Sequence, residues 1–211
     1  MPTEMSFDEL NRLSESQRVL DIDQYFDEMM LSDEQKDVRK MIAEDLEDEF
    51  WAIFSWILLT MPARNISEEE LKAVIQARYE EAVGNTFDDV PKSHEHIEEM
   101  SREIARSTMR HIEDPYFLSQ DRAKYIGENE SNTLWNMSEY EDALRRGMRY
   151  KQWNTIIDEV TRETHVEADG QEVEIDMPFE VGGFYMDYPK DPSYGAPPDE
   201  IVNCRCSVTY F

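Results

Sequence analysis

The stretch that decides the fold covers residues 151–206. It reads KQW at 151–153, TRETHVEADG at 161–170, PFEVGGFYMDYPKDP at 178–192 and EIVNCRC at 200–206. Glycine and proline are frequent here, and helical periodicity is absent. Four short runs, at 152–157, 172–175, 184–188 and 207–211, carry the β-branched and aromatic residues that suit a pleated surface. Asp169-Gly170 is a turn signal, and Gly182-Gly183 permits a bulge or a close backbone approach. Pro189, Pro192, Pro197 and Pro198 stiffen the long loop before the last run. A module of this size has too little core to stand without a staple or a docking surface.

Upstream of Gly147 the texture is helical. SDEQ at 32–35 is a capping box, in which Ser32 and Gln35 each satisfy the other's backbone. Val38, Met41, Ile42, Leu46, Phe50 and Ile53 then share one face. The run FWAIFSWILLTM at 50–61 is apolar all round, as in a helix buried in a core or at a partner surface. It is too short for a bilayer, which takes roughly 20 apolar residues. Pro62 ends this helix. A second capping box, Ser67 with Glu70, opens a helix that buries Leu71, Val74, Ile75, Tyr79 and Val83 and ends on Gly84. A third helix is predicted over 93–112. A fourth is predicted over 116–146, broken near Gly127 and capped by Gly147. Residues 1–31 read as one or two short helices or an arm that folds on a partner. The fold class is therefore α+β: a helical N-terminal body followed by a small loop-rich β module. Three segments result, an acidic helical region at 1–95, a helical lead-in at 96–150 and the β module at 151–211.

Charge is uneven along the chain, whose formal net charge is −27. Residues 1–100 hold 26 acids and 9 bases, a net of −17. Residues 101–150 hold 9 acids and 8 bases, a net of −1, and residues 151–211 hold 13 acids and 4 bases, a net of −9. So acidic a chain repels nucleic acid as a whole. The opening MPTEMSFDEL has neither a positive n-region nor an apolar h-region, so no secretory leader is expected. Cys204 and Cys206 are separated by Arg205 alone. A bridge that tight would be strained, so free or metal-bound thiols in a reducing compartment are expected.

The order Lys-x-Trp, Arg-x-x-His leading to Asp-Gly, Phe-x-x-Gly-Gly, Tyr-Pro-x-Asp and Asn-Cys-Arg-Cys resembles the phage head morphogenesis family of Mu F-like minor capsid proteins. Upstream, Arg122, Ile126, Glu130 and Asn136 look like that family's helical lead-in. The resemblance implies virion assembly rather than catalysis. It implies a minor capsid protein at or near the portal, in the host cytoplasm during assembly and then in the virion. Its expected partner is the portal or another head protein, with DNA contact weak and secondary and no membrane. The alternative is a toxin-like hydrolase, Cys/His or metal-dependent, delivered with the virion.

The same resemblance bears on Arg162, His165, Asp169, Cys204 and Cys206, expected to form a structural cluster. Some family members carry Cys-x-x-Cys where this chain has Arg162 and His165, which with the terminal Cys-x-Cys makes a four-thiol set suited to zinc. Here His165 keeps a ligand type and Arg162 does not, so a fourth ligand falls to Asp169, Glu200 or water. No cofactor is the expectation, with zinc on His165, Cys204 and Cys206 as the alternative. Without metal, Arg162 would pair with a carboxylate and His165 would donate to a backbone carbonyl. Catalysis by a Cys/His pair needs an electropositive setting, which this acidic module lacks. Glu163, Glu167 and Asp169 have no spacing that selects acid/base chemistry.

Two arginine groups complete the candidates. Arg102, Arg106 and Arg110 recur every four residues on one helix face, and Arg145, Arg146 and Arg149 cluster at the end of the next helix. They read either as a solvated face paired with neighbouring acids or as a contact to a partner or nucleic acid. His94 and His96 diverge on a helix, and solvent exposure is expected for both.

Overall fold

Both capping boxes form. The Ser67 hydroxyl accepts from the Glu70 N–H at 3.2 Å while the Glu70 carboxylate accepts from the Ser67 N–H at 3.0 Å. Ser32 and Gln35 make the same exchange at 3.3 and 3.0 Å. The computed structural model describes residues 22–60 and 65–211. Helices α1 (Ile22–Asp27), α2 (Asp33–Thr60), α3 (Glu68–Val83) and α4 (Ser93–Arg110) lead to a 3-10 turn at Pro115–Leu118 and to α5 (Gln120–Arg145). Then come β1 (Tyr150–Asn154), α6 (Glu163–Ala168), β2 (Glu172–Glu174), β3 (Phe179–Val181), β4 (Phe184–Met186), α7 (Pro198–Ile201) and β5 (Ser207–Tyr210). The class is α+β, with a helical N-terminal body and small antiparallel strands in the C-terminal region. The arm read at 1–31 lies outside the described residues as far as residue 21, and α1 takes up most of the rest. Pro62 also lies outside them.

The long helices α2 and α5 pack on one another and organise the body. Phe50, Phe54 and Ile57 of α2 meet Leu71, Ile75 and Tyr79 of α3, Ile104 of α4 and Ile126 and Leu134 of α5 in one core. The apolar run at 50–61 is only partly core, because Leu58 and Leu59 are exposed at 52% and 82%. The break expected near Gly127 is absent. α5 runs through it, and a Cβ there would stand 2.5 Å from the Ala43 carbonyl oxygen of α2. The glycine admits the neighbouring backbone rather than ending the helix. Gly127→Ala is therefore expected to cost about 1–3 kcal/mol through overpacking, read as a lower denaturant midpoint with an unchanged slope.

The third helix stops at Arg110 and the fourth starts at Gln120, because a 3-10 turn intervenes. Asp114 accepts from the Tyr116 N–H at 3.2 Å, and Ser119 then caps α5 by accepting from the Arg122 N–H at 3.2 Å. Arg122 is fully buried, donating to Phe117 O and the Thr108 hydroxyl, each at 2.7 Å, and lying over the Phe54 and Phe117 rings.

After α5 a three-stranded antiparallel sheet takes the order β2-β1-β5, and β3 and β4 form a separate hairpin. β3 was not among the expected strands, nor were the short helices α6 and α7. The hairpin turn is Gly182-Gly183, with φ of 61° and 82°, the paired left-handed angles that match strand twist. Gly182 also lies under α7, since a Cβ there would stand 2.6 Å from a Glu200 carboxylate oxygen. Trp153 and Phe179 are fully buried and meet edge to face at 5.3 Å. Lys151, buried beside them, donates to Asp187 O at 2.8 Å and sits over the Tyr140 and Phe179 rings.

Three asparagines of α5, spaced so as to share one face, join this module to the body. Asn132 Nδ2 donates to Cys204 O at 3.1 Å, and Asn136 Nδ2 donates to Pro189 O at 3.2 Å. Asn129 Oδ1 accepts from the Asn203 N–H at 3.1 Å and from Lys190 Nζ at 2.7 Å. The Tyr25 hydroxyl of α1 also donates to Cys204 O, at 3.2 Å. Loop carbonyls that water would otherwise satisfy are thus held by the helical body. Among the described residues no helix is long and apolar enough to cross a membrane.

Candidate functional site

His165, on α6, and Cys204 and Cys206, between α7 and β5, come together in the module core. His165 Nδ1 lies 3.5 Å from the Cys204 sulfur and 3.4 Å from the Cys206 sulfur. The Cys206 N–H points at the Cys204 sulfur at 3.4 Å. All three side chains are buried. Behind them, Trp153 Nε1 donates to the Thr155 hydroxyl at 3.0 Å, and that hydroxyl donates to His165 O at 2.9 Å. The far ring nitrogen, His165 Nε2, lies 3.2 Å from Glu200 Oε2, which also accepts from the Thr164 hydroxyl at 2.9 Å.

The other two expected members stand differently. Among the described residues Arg162 pairs with no carboxylate; it donates to Val202 O and so ties α6 to the end of α7. His165 does not donate to a backbone carbonyl, because Glu200 and the thiols occupy both ring nitrogens. Asp169 is exposed and accepts from the Thr155 N–H at 2.8 Å, closing the turn after α6. Glu200 is beside the imidazole on the side away from the sulfurs. Arg205, between the cysteines, pairs with Glu28 at 2.9 Å and with Asp158, which anchors the loop after β1. Glu163 and Glu167 are exposed.

The electrostatics separate the two thiols. Burial pushes Cys204 up, but the Cys206 thiol, His165 and the nearby Arg162 charge outweigh it and hold Cys204 well below the ordinary cysteine range. The contact with Cys204, reinforced by burial, pushes Cys206 up. Burial pulls His165 down, but Cys204 and Glu200 outweigh it and leave it above the ordinary histidine value. The arrangement suits a thiolate beside an imidazolium, or a tripod of soft donor atoms. A groove of about 440 Å³ lies elsewhere, between Met30, Trp135, Glu139, Arg146 and β5, and its lining excludes all three cluster residues.

The chain matches the family described as Phage Mu protein F like protein over residues 73–209. It belongs to that family. It is therefore a phage head morphogenesis protein at that level of description. The match begins within α3, well upstream of the motifs at 151–206, so the shared unit includes α4 and α5 with their asparagine face. A NAD(+)--arginine ADP-ribosyltransferase EFV of Enterococcus faecalis (strain ATCC 700802 / V583) is 41% identical over 70 residues. That segment is 33% of this chain and 14% of the relative, so this chain spans a small part of that protein. No solved structure matches the chain.

The arginine groups are engaged with neighbouring groups. Arg102 pairs with Glu98 at 2.7 Å, and Arg106 pairs with Glu103 at 3.0 Å and Glu68 at 3.7 Å. Arg145 donates to Asp89 O at 3.0 Å, Arg146 pairs with Asp142 at 3.5 Å, and Arg149 lies over the Tyr150 ring. Arg102, Arg106, Arg145 and Arg146 keep between 45% and 63% of their side chains exposed, so they remain available to a partner. Arg110 has interactions of its own. His94 is exposed as expected. His96 is not: its Nε2 sits 2.7 Å from the buried Glu130 carboxylate, which also accepts from the Tyr79 hydroxyl at 2.8 Å. Two residues of α4 rotate the histidines about 200° apart, which sends His96 inward.

Proposed function

We propose that this chain is a minor capsid protein acting in procapsid assembly at or near the portal, assembled in the host cytoplasm and carried into the virion. The family match over residues 73–209 supports this reading most directly. The buried cluster supports it from the other side. A nucleophile must reach its substrate, and Cys204 and Cys206 lie at 2% and 3% exposure behind the Trp153–Thr155 contacts. A structural role for the cluster fits better than a hydrolase. The transferase activity named for the Enterococcus relative is that protein's own, and the shared segment is 14% of it. We assign no catalytic role here.

The principal partner in this reading is the portal or an adjacent head protein. Leu58 and Leu59 at the end of α2 offer apolar contact, and the half-exposed arginines offer orientation. DNA contact is secondary, because counterion release makes such contacts weak at physiological salt in so acidic a chain. Replacing Arg102, Arg106 and Arg110 with Glu should sharply reduce incorporation into heads while circular dichroism and the unfolding midpoint stay near wild type. Normal packaging of the triple variant, together with tight salt-resistant DNA binding by the wild type, would replace this reading with a DNA-handling role.

A further inference from the structure

One imidazole nitrogen faces two sulfurs. His165 Nδ1 lies 3.5 Å from Cys204 Sγ and 3.4 Å from Cys206 Sγ. A ring nitrogen carries either one hydrogen or one in-plane lone pair, so it makes one well-formed hydrogen bond. Two thiols at that range oversubscribe it. A metal ion on the lone pair removes the conflict. With metal–sulfur bonds of about 2.3 Å and metal–nitrogen bonds of about 2.0–2.1 Å, tetrahedral nitrogen and sulfur ligands stand about 3.5 Å apart. The three donor atoms all lie within 4.8 Å of one another.

We propose that His165 Nδ1, Cys204 Sγ and Cys206 Sγ form a binding site for a thiophilic divalent metal ion, zinc in the first place. Three further features around the tripod suit that ion. Glu200 Oε2, 3.2 Å from Nε2, takes the ring N–H and so leaves the Nδ1 lone pair pointing at the sulfurs. This is the outer arrangement that orients a metal-binding histidine, and the Thr164 hydroxyl fixes the carboxylate in turn. The Cys206 N–H, directed at the Cys204 sulfur, stabilises negative charge on that sulfur. Finally, two thiolates cancel the charge of a divalent ion bound by a neutral imidazole. The site then carries no net charge into an interior where an unbalanced one would be costly.

Among the described residues no fourth histidine, cysteine or carboxylate joins the group, so the fourth position goes to water or to the Thr155 hydroxyl, which lies 3.5 Å from the Cys206 sulfur. The ion would join α6 to the segment between α7 and β5. That segment closes a module core that includes Trp153, Phe179, Val181 and Met186. Metal binding and module stability are thereby linked.

The test uses the full chain, purified without chelator, reduced, and titrated with Co²⁺ and then Zn²⁺. Expected are thiolate-to-cobalt charge-transfer absorption, saturation at one ion per chain, displacement of cobalt by zinc, and a higher unfolding temperature with zinc. Cys204→Ser and Cys206→Ser should each abolish the charge-transfer band at stoichiometric metal. Glu200→Gln should weaken zinc binding by roughly tenfold to a hundredfold with an unchanged far-UV spectrum. Absence of thiolate charge transfer at excess cobalt in the wild type would overturn the proposal, as would stoichiometric binding kept by the double serine variant. If the serine variants do not fold, Glu200→Gln and the zinc-dependent unfolding temperature decide. An unchanged affinity or an unmoved temperature then overturns it. These readouts do not depend on head assembly, so this site and the proposed function fail separately.

Discussion

Glu130→Ala should cost the fold about 3–5 kcal/mol, the usual cost of breaking one side of a buried charge network. The carboxylate is buried in the middle of α5 and is held from three directions. Tyr79 of α3 donates at 2.8 Å, and His96 of α4 lies at 2.7 Å. The Lys190 charge, from the loop after β4, acts on it as well. Burial pushes the Glu130 carboxyl up, but His96, Lys190 and Tyr79 outweigh that and hold it below the usual glutamate value of 4.5. Lys190 is itself buried, and burial pulls its pKa down to about 8, with Glu130 opposing that fall. Removing Glu130 leaves the ammonium hydrogen-bonded to the Asn129 oxygens but without the group that most opposes its loss of charge. The pH dependence has a definite sign. A carboxylate with a depressed folded pKa contributes stability that is fully present above its unfolded pKa and is lost as pH falls through the folded value. The stability gap between wild type and Glu130→Gln should therefore narrow below about pH 4.5 and also narrow as pH rises toward about 8, where Lys190 loses the proton that Glu130 helps it keep. Denaturant midpoints across that range measure it. A gap that does not change with pH would mean that shape rather than charge holds this network together.

The helices were legible because their signals are local. Ser67 and Glu70, or Ser32 and Gln35, lie within one turn of each other, and the apolar faces of α2 and α3 follow from spacing alone. Glycine inside a helical pattern signals either a break or a close approach, and at Gly127 only the backbone of α2 distinguishes them. The inward setting of His96 is hidden from the sequence for a similar reason. Its spacing from His94 rules out a metal pair but says nothing about Glu130, which lies 34 positions away. The face of Asn129, Asn132 and Asn136 is the least legible contact, since only Asn136 stands out in the sequence, through the family resemblance. On spacing they make one polar face, which by itself reads as solvated. Their partners at Asn203, Cys204 and Pro189 lie 53 to 74 positions off. Three asparagines sharing a face in a helix that also buries Ile126, Leu134 and Met137 were the available signal. At the cluster, the family resemblance implies that His165, Cys204 and Cys206 lie together. The side of the imidazole that Glu200 takes, and the turn of Arg162 toward a carbonyl, depend on α7. That helix is four residues long and opens on a proline, and it has too little pattern to read.

Trp153→Ala should cost about 3–5 kcal/mol, as for other fully buried large aromatics, and its effect should extend beyond the cavity. The indole is the largest fully buried side chain described. It packs edge to face on Phe179 at 5.3 Å and on His165 at 5.9 Å. Its Nε1–H donates to the Thr155 hydroxyl, which in turn holds the His165 carbonyl at 2.9 Å. Truncation therefore removes the core of the module and also the contact that fixes where α6 presents its imidazole. Trp153→Phe separates the two effects. Phenylalanine keeps most of the packing but leaves Thr155 without its donor, so the loss should be smaller than for alanine, while His165 loses the same support. The comparison uses unfolding midpoints for stability and the one-bond ¹H–¹⁵N imidazole signals of His165 for ring position. If Trp153→Phe leaves those signals unchanged, the Trp153–Thr155–His165 chain does not orient the ring. Trp153 would then act through volume alone, and the placement of the cluster would rest on Glu200 and the α5 asparagines.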